Sequence, residues 1–278
     1  MTIIQTIFIT DLDGTLLNSD QGIPPEGVRL LKSRIEQGLL FSIATARSVA
    51  TVGPFCRALD IRLPVVLMNG VFVYDLKTET YLQKNLISYD AVERILRTLS
   101  AQGLAPFFYS LDADDKLCVE YTELQNDEMK SFYAARTKAA YKRFEQVERF
   151  VNAREKPMVY ITMIDREEAL RPVYDWVKSD PELSASLYRD NYSERWYLEI
   201  YSIYADKKTG VAWLKDYTGA QRVVAFGDNY NDIAMLQYAD EGYVVEEAPD
   251  EVKAYATGTI GSHNENAVAR FIVDDLYK

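Results

Sequence analysis

The chain has 278 residues, a formal net charge of −11 and 48% hydrophobic residues, enough for the core of one large domain or two modest ones. This acidity argues against nucleic acid and anionic membranes as main partners, because both select surfaces rich in Lys and Arg. The N-terminus lacks a basic signal-peptide region and no apolar run approaches the ~20 residues that span a bilayer, so we expect a cytoplasmic protein. Cys56 and Cys118 form neither a disulfide framework nor a metal spacing, and the single histidine, His263, is expected to have a surface role in the loop-like GSHNEN.

Residues 7–17, IFITDLDGTLL, are an apolar run that ends in Asp11 and Asp13, followed by Gly14 and Thr15. The apolar residues alternate poorly, which predicts a strand buried on both faces, as in a parallel sheet. Both carboxylates then emerge at the carboxyl end of the strand, where ligands bind in open α/β sheets. Gly14 allows the backbone to turn there, so that the Thr15 amide can point inward.

Turn chemistry and a calcium loop are two alternative interpretations of these aspartates. The calcium loop fails on register, because Leu16 stands where Gly is needed and Gly22 where Glu is needed. Two carboxylates a few ångströms apart repel each other by about 4 kcal/mol at an effective dielectric constant of ~20. A divalent cation is the usual compensation, so the pair indicates a metal site, with a plain turn as the alternative.

After a first helix, a second buried strand is predicted at residues 39–44 and a second helix at residues 48–60. Thr45, Ala46 and Arg47 lie between them. A hydroxyl and a guanidinium between a strand end and a helix N-terminus suit an anion. An ordinary helix cap explains the same residues.

Residues 64–68 predict a third strand that stops at Asn69 and Gly70, and VFVYD and TETYLQ then predict a short hairpin. Strands separated by helices up to this point indicate βαβ units with right-handed crossovers in a parallel sheet.

Cys56 and Arg62 match the C-x5-R spacing of a cysteine phosphatase loop. The five intervening residues contain no glycine that would aim backbone amides at a phosphate, so we reject that interpretation.

Residues 81–190 have a different pattern of predicted helices and strands and are interpreted as an inserted α/β domain. Amphipathic helices are predicted over residues 88–102 and 123–150, and they alternate with strands such as LAPFFYS, KLCVE and KPMVYITMI. The acidic LDADDK between two of these strands predicts a solvated hairpin tip. From residue 191, with RWYLEIYSI, the chain is expected to return to the first domain.

A helix that begins in ADKKTGVAWL, residues 205–214, carries Lys207 and Lys208 near its start. Cations there oppose the helix dipole at a cost of about 0.3–1 kcal/mol. This cost indicates a role outside helix stability, with a solvated surface pair as the alternative.

The stretch VVAFGDNYNDIAML predicts a buried strand at residues 223–226 that breaks at Gly227 and Asp228, with Asn231 and Asp232 opening a helix. A calcium loop fails here too, because the positions that need Gly and Glu are Ile and Ala. The carboxylate of Asp228, at the end of this strand, is again a candidate metal ligand.

Four motifs in this order, DLDGTLL, SIATAR, DKKTG and FGDNYND, resemble those of the haloacid dehalogenase superfamily. The insert between the second and third motifs, together with MNGVFVYD, resembles the Cof-type branch (subfamily IIB) of small-molecule phosphatases. The resemblance covers the whole chain and implies a Rossmann-like α/β core with a parallel sheet, formed by residues 1–80 and 191–278. Residues 81–190 would then be an inserted α/β cap domain of the C2 type.

The resemblance also implies roles for the strand-end residues. Asp11 would be the nucleophile that forms an aspartyl phosphate, and Asp13 would protonate the leaving oxygen and then activate water. Mg²⁺ would be held by the Asp11 carboxylate, the Asp13 carbonyl and the Asp228 carboxylate, with Asp232 behind them. The phosphoryl oxygens would be bound by five further groups: the Leu12 amide, Thr45, the Ala46 amide, Lys207 and Asn231.

Three positions depart from the family pattern. Ala46 replaces the Gly that is usual in the second motif, which a negative φ would tolerate. Lys208 stands where Gly is common and competes with Lys207 for the inward position. Residues 246–248, Glu-Glu-Ala, replace a Gly-Asn-Ala segment, so that any substrate or metal contact of that Asn is lost or changed.

We therefore expect a Mg²⁺-dependent phosphatase that hydrolyses small phosphorylated metabolites, sugar phosphates or phosphorylated cofactors, through an aspartyl-phosphate intermediate. Two alternatives remain, a sugar phosphomutase of the same fold and a non-catalytic phosphate-binding regulatory protein. The mutase would transfer phosphate within a sugar instead of to water. The regulatory protein would need Asp11, Asp13 or Asp228 to be missing, and all three are present.

Overall fold

The computed structural model describes residues 4–137, 142–150, 156–189 and 194–275. Two compact units can be distinguished: Met1–Gln83 together with Asp206–Lys278, and Lys84–Ala205. Among the described residues, no helix is both long and apolar enough to cross a membrane.

The N-terminal part of the first unit alternates strands and helices before it ends in a hairpin. Its elements are β1 (Thr6–Thr10), α1 (Pro25–Glu36), β2 (Leu40–Ile43), α2 (Val49–Leu59), β3 (Val65–Leu67), β4 (Phe72–Asp75) and β5 (Thr80–Lys84). A proline at the first position of α1 supplies the φ that a helix start needs, and Leu31 and Ile35, one turn apart, are buried. The strands β3, β4 and β5 form a small sheet, which confirms the predicted hairpin.

The second unit is an α/β structure with a six-stranded sheet. Its elements are α3 (Tyr89–Gln102), β6 (Phe107–Leu111), β7 (Leu117–Tyr121), α4 (Asp127–Arg136), β8 (Lys142–Gln146), β9 (Met158–Asp165), α5 (Glu167–Ser179), β10 (Leu183–Arg189) and β11 (Trp196–Ser202). The strand order is β10-β11-β9-β6-β7-β8, with β7 and β8 parallel and the other pairs antiparallel. Apolar residues of α3 and α5 form a core with this sheet.

The chain then completes the first unit. Its remaining elements are α6 (Lys207–Thr218), β12 (Arg222–Gly227), α7 (Ile233–Tyr238), β13 (Glu241–Val244), α8 (Asp250–Lys253), β14 (Gly258–Thr259) and α9 (Ala267–Asp275).

The main sheet of the first unit is parallel, in the order β14-β13-β12-β1-β2. The central strand β1 is buried on both faces, since Ile7, Phe8 and Ile9 are at most 1% exposed. This confirms the strand type that the non-alternating apolar run predicts. Thr10, at the end of β1, pairs with Phe226 of β12 on one side and with Ile43 of β2 on the other. The carboxyl ends of these three strands therefore meet at one edge of the sheet.

The helix predicted over residues 123–150 is wrong beyond α4. The chain forms the strand β8 at Lys142–Gln146, in parallel register with β7, and residues 138–141 of the predicted helix lie outside the described residues. The ring of Phe144 packs edge-on against Phe107 and Tyr133. These pairings with residues distant in sequence outweigh the local helical pattern.

The boundary predicted at residue 191 also differs from the structure. The stretch RWYLEIYSI forms β11, which pairs with β9 and β10 in the second unit, so the chain enters the first unit at Asp206. The alternation of apolar residues in this stretch would suit a strand of either sheet. Only the pairing of β11 with β9 and β10 assigns it to the second unit.

Candidate active site

The ends of β1 and β12 bring two of the motif aspartates together. Asp11 directly follows β1, and its backbone N–H donates to the Phe226 carbonyl at 2.9 Å. Asp228 directly follows β12. The parallel register therefore puts both carboxylates at the same edge of the sheet, although 217 positions separate them in the chain (228 − 11).

The turn at Leu12–Leu16 is shaped by its contact with Asp228. Gly14 has a φ of +80°, and a Cβ atom there would lie 2.5 Å from Asp228 Oδ2. The hydroxyl of Thr15 donates to Asp228 Oδ1 at 2.7 Å. Glycine is thus required twice, for the left-handed backbone and for the close approach of a carboxylate.

Lys207 is the positively charged side chain that pairs with the carboxylates of the site. Its Nζ atom donates to Asp11 Oδ1 and to Asp232 Oδ1, both at 2.6 Å, and its side chain is 0% exposed. The neighbouring Lys208 is exposed. Asp206 caps the helix by accepting from the Thr209 N–H at 2.6 Å, which places Lys207 in the first turn of α6. Burial by itself lowers the pKa of Lys207, but the two carboxylates raise it above its usual range, so the ammonium remains charged.

Asp232 organises the loop that carries Asp228. Its Oδ2 atom accepts from the backbone N–H groups of Asp228 and Asn229, both at 3.0 Å, and its residue is 0% exposed. Gly227 permits this packing, since a Cβ atom there would lie 2.6 Å from Asp232 Cβ. The carboxylate therefore fixes the backbone on which Asp228 stands.

The carboxylates fit a divalent cation. One oxygen from each of Asp11, Asp228 and Asp232 lies within 4.8 Å of the others, and Lys207 brings one positive charge to these three groups. Burial and the two neighbouring carboxylates raise the pKa of Asp11 to about 8, although Lys207 acts in the opposite direction. Burial and Asp232 raise the pKa of Asp228 to about 6. Oxygen ligands that carry uncompensated negative charge are what a hard cation such as Mg²⁺ prefers.

The carboxylate of Asp13 has a different partner. Arg47 Nε donates to Asp13 Oδ2 at 2.7 Å and Arg47 Nη2 donates to Asp13 Oδ1 at 2.5 Å. Nη2 also donates to Gln21 Oε1 at 2.8 Å. The sequence suggests that Arg47 binds an anion, and the structure identifies that anion as the side chain of Asp13.

The remaining motif residues line the same edge of the sheet. Thr45 follows β2, is 0% exposed, and accepts the Arg47 N–H at its hydroxyl oxygen at 3.1 Å. Ala46 is exposed and is not among the described residues with positive φ, so its methyl group is tolerated where the family carries Gly. Leu12 is buried, and the exposed Asn231 donates from Nδ2 to Asn69 Oδ1 at 3.0 Å.

Two contacts of the site were not predicted from the sequence: that of Asn69 with Asn231 and that of Arg47 with Asp13. Asn69 stands where β3 stops, and a polar residue beside a glycine at the end of a buried strand was the available signal. Nothing near Asn69 in sequence identifies Asn231 as its partner, because the two are 162 positions apart.

Glu247 stands where the family carries Asn, and it faces His263. Its carboxylate accepts from the Ser262 hydroxyl and from the His263 N–H, and Oε2 lies 3.1 Å from His263 Nδ1. Burial would raise the pKa of Glu247, but the hydrogen bonds from Ser262 and His263 lower it. His263 lies in the segment before α9, as expected, and its side chain is half-buried, with Nε2 3.4 Å from the Ser19 hydroxyl oxygen.

Cys56 lies inside α2, where burial raises the pKa of its thiol to about 12. Arg62 is paired with Asp60 at 3.0 Å. A nucleophilic cysteine needs a lowered pKa, so these contacts agree with the rejection of a cysteine phosphatase loop.

Comparisons with known proteins agree over nearly the whole chain. The family model described as haloacid dehalogenase-like hydrolase matches residues 8–272. Pyridoxal phosphate phosphatase YbhA of Escherichia coli (strain K12) is 24% identical over 285 residues, which cover 97% of this chain and 98% of that protein. The 5-amino-6-(5-phospho-D-ribitylamino)uracil phosphatase YwtE of Bacillus subtilis (strain 168) is 25% identical over 279 residues, with coverages of 94% and 95%.

Solved structures show the same fold. The HAD subclass IIB sugar phosphatase BT4131 aligns with a TM-score of 0.75 at 20% identity, and the alignment covers 98% of each chain. At this identity the likeness concerns the fold alone.

Proposed function

We propose that this chain, which belongs to the haloacid dehalogenase-like hydrolases and is a phosphatase of their Cof-type branch, hydrolyses small phosphomonoesters. In this proposal Asp11 attacks the phosphorus atom and Mg²⁺ assists the reaction. The observation that carries this proposal is the group formed by Asp11, Asp228 and Asp232, in which the buried Lys207 is paired with Asp11 and Asp232. Such a group combines a nucleophile, oxygen ligands for a cation and a fixed positive charge. Phosphoryl transfer depends mainly on this kind of positioning and charge neutralisation.

Asp11 is the proposed nucleophile. A carboxylate oxygen bonds to phosphorus while the bond between phosphorus and the leaving oxygen breaks, which forms an aspartyl phosphate. Lys207 holds Oδ1 at 2.6 Å and thereby fixes the carboxylate for attack. In the second step the oxygen of a water molecule bonds to phosphorus, the bond to Asp11 breaks, and orthophosphate leaves.

Asp13 is the proposed acid and base. It gives a proton to the leaving oxygen in the first step and takes one from the attacking water in the second, so it returns to its starting state. Arg47 binds both of its oxygens and fixes their orientation. Protonation of Asp13 weakens this pairing, because the neutral carboxyl group no longer carries the negative charge that the guanidinium binds, although its carbonyl oxygen still accepts a hydrogen bond.

The residues proposed to hold the cation are Asp11 and Asp228, through their carboxylates, and Asp13, through its carbonyl. When bound, the cation would neutralise charge on the phosphoryl oxygens. Thr15 orients the Asp228 carboxylate through a 2.7 Å hydrogen bond, and Asp232 stands behind it. The groups proposed to bind the phosphoryl oxygens are the Leu12 and Ala46 amides, Thr45, Lys207 and Asn231.

The proposed substrates are small phosphorylated metabolites, either sugar phosphates or phosphorylated cofactors. Two relatives that align over nearly their full lengths are named for pyridoxal phosphate and for 5-amino-6-(5-phospho-D-ribitylamino)uracil. Both compounds are phosphomonoesters of small polar molecules, which supports this class without selecting a member of it.

A hydrolysis screen tests the proposal. Purified protein is incubated with a panel of phosphorylated metabolites in MgCl₂ or in EDTA, and released orthophosphate is measured. We expect at least one substrate to be turned over in MgCl₂, with loss of activity in EDTA and in the Asp11→Asn variant. Conversion of a sugar phosphate to its isomer without release of orthophosphate would instead support the phosphomutase, and binding without any turnover would support the regulatory protein.

A further inference from the structure

The turn at Met68–Gly70 contains three successive residues in the left-handed region. Met68 has a φ of 50°, Asn69 of 54° and Gly70 of 92°. This region suits Gly and is tolerated by Asn, whereas Met rarely adopts it. Such a conformation persists only where surrounding contacts impose it, and those contacts connect the turn to the candidate active site.

The backbone of the turn is bound to the segment between β2 and α2. The Asn69 N–H donates to the Thr45 carbonyl at 3.0 Å, and the Met68 N–H donates to the Arg47 carbonyl at 3.1 Å. The Thr45 carbonyl belongs to the same peptide unit as the Ala46 N–H, and in a trans peptide these two groups point in opposite directions. A hydrogen bond that fixes the carbonyl therefore also fixes the direction of the Ala46 N–H.

The side chain of Asn69 contacts the segment after β12. Its Oδ1 atom accepts from Asn231 Nδ2 at 3.0 Å, and Asn69 is only 6% exposed. An amide nitrogen carries two hydrogens, so this bond fixes the amide plane of Asn231 and leaves the second hydrogen for another acceptor.

Gly70 brings the same turn against the start of α6. A Cβ atom at this position would overlap the backbone of Asp206, the residue directly before Lys207. The turn thus contacts all three segments that carry proposed phosphoryl ligands beyond β1: those of Ala46, Asn231 and Lys207.

We infer that Asn69 is a positioning residue for phosphoryl transfer, and that its side chain acts by orienting the amide of Asn231 toward the phosphoryl group. This role rests on the proposed function, in which Asn231 binds a phosphoryl oxygen. Asparagine suits the position because it tolerates a positive φ and also supplies an acceptor for the Asn231 amide.

A double-mutant cycle tests this role. Asn69→Gly keeps the backbone conformation accessible and removes Oδ1, so it separates the side chain from the turn. The kcat and KM for p-nitrophenyl phosphate and the Kd for orthophosphate are measured in the wild type, Asn69→Gly, Asn231→Ala and the double variant. We expect Asn69→Gly to lower kcat/KM about tenfold, the effect of one oriented hydrogen bond, and to have less than a twofold effect once Asn231 is alanine. The Kd for orthophosphate should follow the same non-additive pattern.

A backbone control separates orientation from stability. Asn69→Ala also lacks Oδ1 but places a Cβ atom at a φ of 54°, so it should melt at a lower temperature than Asn69→Gly while kcat/KM falls to a similar level. The same cycle run with Asn69→Ala gives a second measurement of the coupling, because that variant also lacks Oδ1.

Two outcomes would overturn the inference. Independent, multiplicative losses in the double variant would remove Asn69 from the positioning role and leave the proposed function intact. A wild-type protein that neither hydrolyses p-nitrophenyl phosphate nor binds orthophosphate would overturn both.

Discussion

Lys207 shows how one buried charge can determine the arrangement of a site. A cation in the first turn of a helix opposes the helix dipole, and a fully buried ammonium also loses its hydration. Two carboxylates at 2.6 Å offset both effects, because Asp11 and Asp232 surround the ammonium on separate segments of the chain. Residues 11, 207 and 232 are therefore best understood as one electrostatic unit.

Replacing Lys207 should have a much larger effect than replacing its neighbour. Lys207→Ala leaves buried carboxylates without their cation, which should lower the free energy of unfolding by about 3–5 kcal/mol and kcat/KM by about 10²–10³-fold. Lys208→Ala, the matched control on an exposed side chain, should change stability by about 0.5 kcal/mol or less. Denaturant unfolding and steady-state kinetics measure both effects. A larger loss in Lys208→Ala would mean that the assignment of the third motif is off by one residue.

Asp11→Asn should abolish turnover without unfolding the protein. The substitution keeps the side-chain volume, removes a carboxylate whose pKa burial already raises to about 8, and leaves the Lys207 ammonium paired with Asp232, so the folded state loses little. Activity is expected at background, with a melting temperature within a few degrees of wild type. Residual activity within tenfold of wild type would exclude Asp11 as the nucleophile.

Asp13→Asn should separate the two steps of the proposed reaction. The Asp13 side chain is paired with Arg47, apart from the Asp11–Lys207 pair, so its replacement should preserve Mg²⁺ and phosphate binding. With nitrophenolate, a good leaving group, the first step needs little acid, whereas loss of the base slows the second step by about 10²–10⁴-fold. We expect a burst of nitrophenol followed by accumulation of phosphorylated Asp11, which intact mass would detect as one added phosphoryl group. Steady turnover at the wild-type rate would rule out the acid–base role.

At the scale of elements, the site depends on short turns at the ends of buried strands. Each of β1, β3 and β12 has a glycine at or just after its carboxyl end that makes a close contact: Gly14 against Asp228, Gly70 against Asp206, and Gly227 against Asp232. Because these strands are buried and paired in fixed register, the residues at their ends set the positions of the side chains in the site. Changes at these glycines should therefore affect the site more than they affect the sheet.

Gly14→Ala tests this dependence, with Gly38→Ala as its matched control. Both glycines have positive φ, +80° and +100°, so both variants carry backbone strain of about 1–2 kcal/mol. A Cβ atom at position 14 would also displace the Asp228 carboxylate, whereas nothing lies within 4 Å of one at position 38. We expect similar losses in melting temperature but a loss of Mg²⁺ affinity and activity in Gly14→Ala alone. Equal kinetic effects of the two variants would contradict a specific role for the Gly14 turn.

At the scale of the whole molecule, the carboxylate group connects stability to pH and to the cation. A carboxyl group whose pKa is raised by folding binds more protons in the folded state than in the unfolded state between those two pKa values. With pKa values of about 8 for Asp11 and about 6 for Asp228, both groups make the free energy of unfolding fall as pH rises from about 4 to about 8. Lys207, whose pKa is also raised, contributes stability throughout this range and loses it only at higher pH.

Mg²⁺ should therefore raise the melting temperature more at pH 8 than at pH 5. At pH 5 both carboxyl groups are protonated, and a cation must displace their protons to bind. Thermal melts with MgCl₂ and with EDTA at the two pH values measure the difference, and Asp228→Asn should reduce it. An equal shift at both pH values would show that these groups do not bind the cation.

Local pattern alone predicted much of the first unit. Non-alternating apolar runs can be buried on both faces only in a covered parallel sheet, so the strands before Asp11, Thr45 and Asp228 were identifiable, and parallel strands place their carboxyl ends at one edge. Three of the six strands of the second unit, β6, β7 and β9, and its helix α3 were also predicted. The stretch that forms β8 was not, since its helical pattern is overridden by pairing with β7.

Which residues stand at the strand ends can be read from the sequence, because burial and backbone turns depend on neighbours in the chain. Tertiary packing is needed to show that Lys207 and not the adjacent Lys208 faces inward, that Arg47 binds Asp13, and that Asn69 binds Asn231. Each of these contacts joins side chains from segments that are far apart in sequence. Their geometry depends on sheet register and helix rotation, which are set by the packing of the whole unit and leave no local pattern to read.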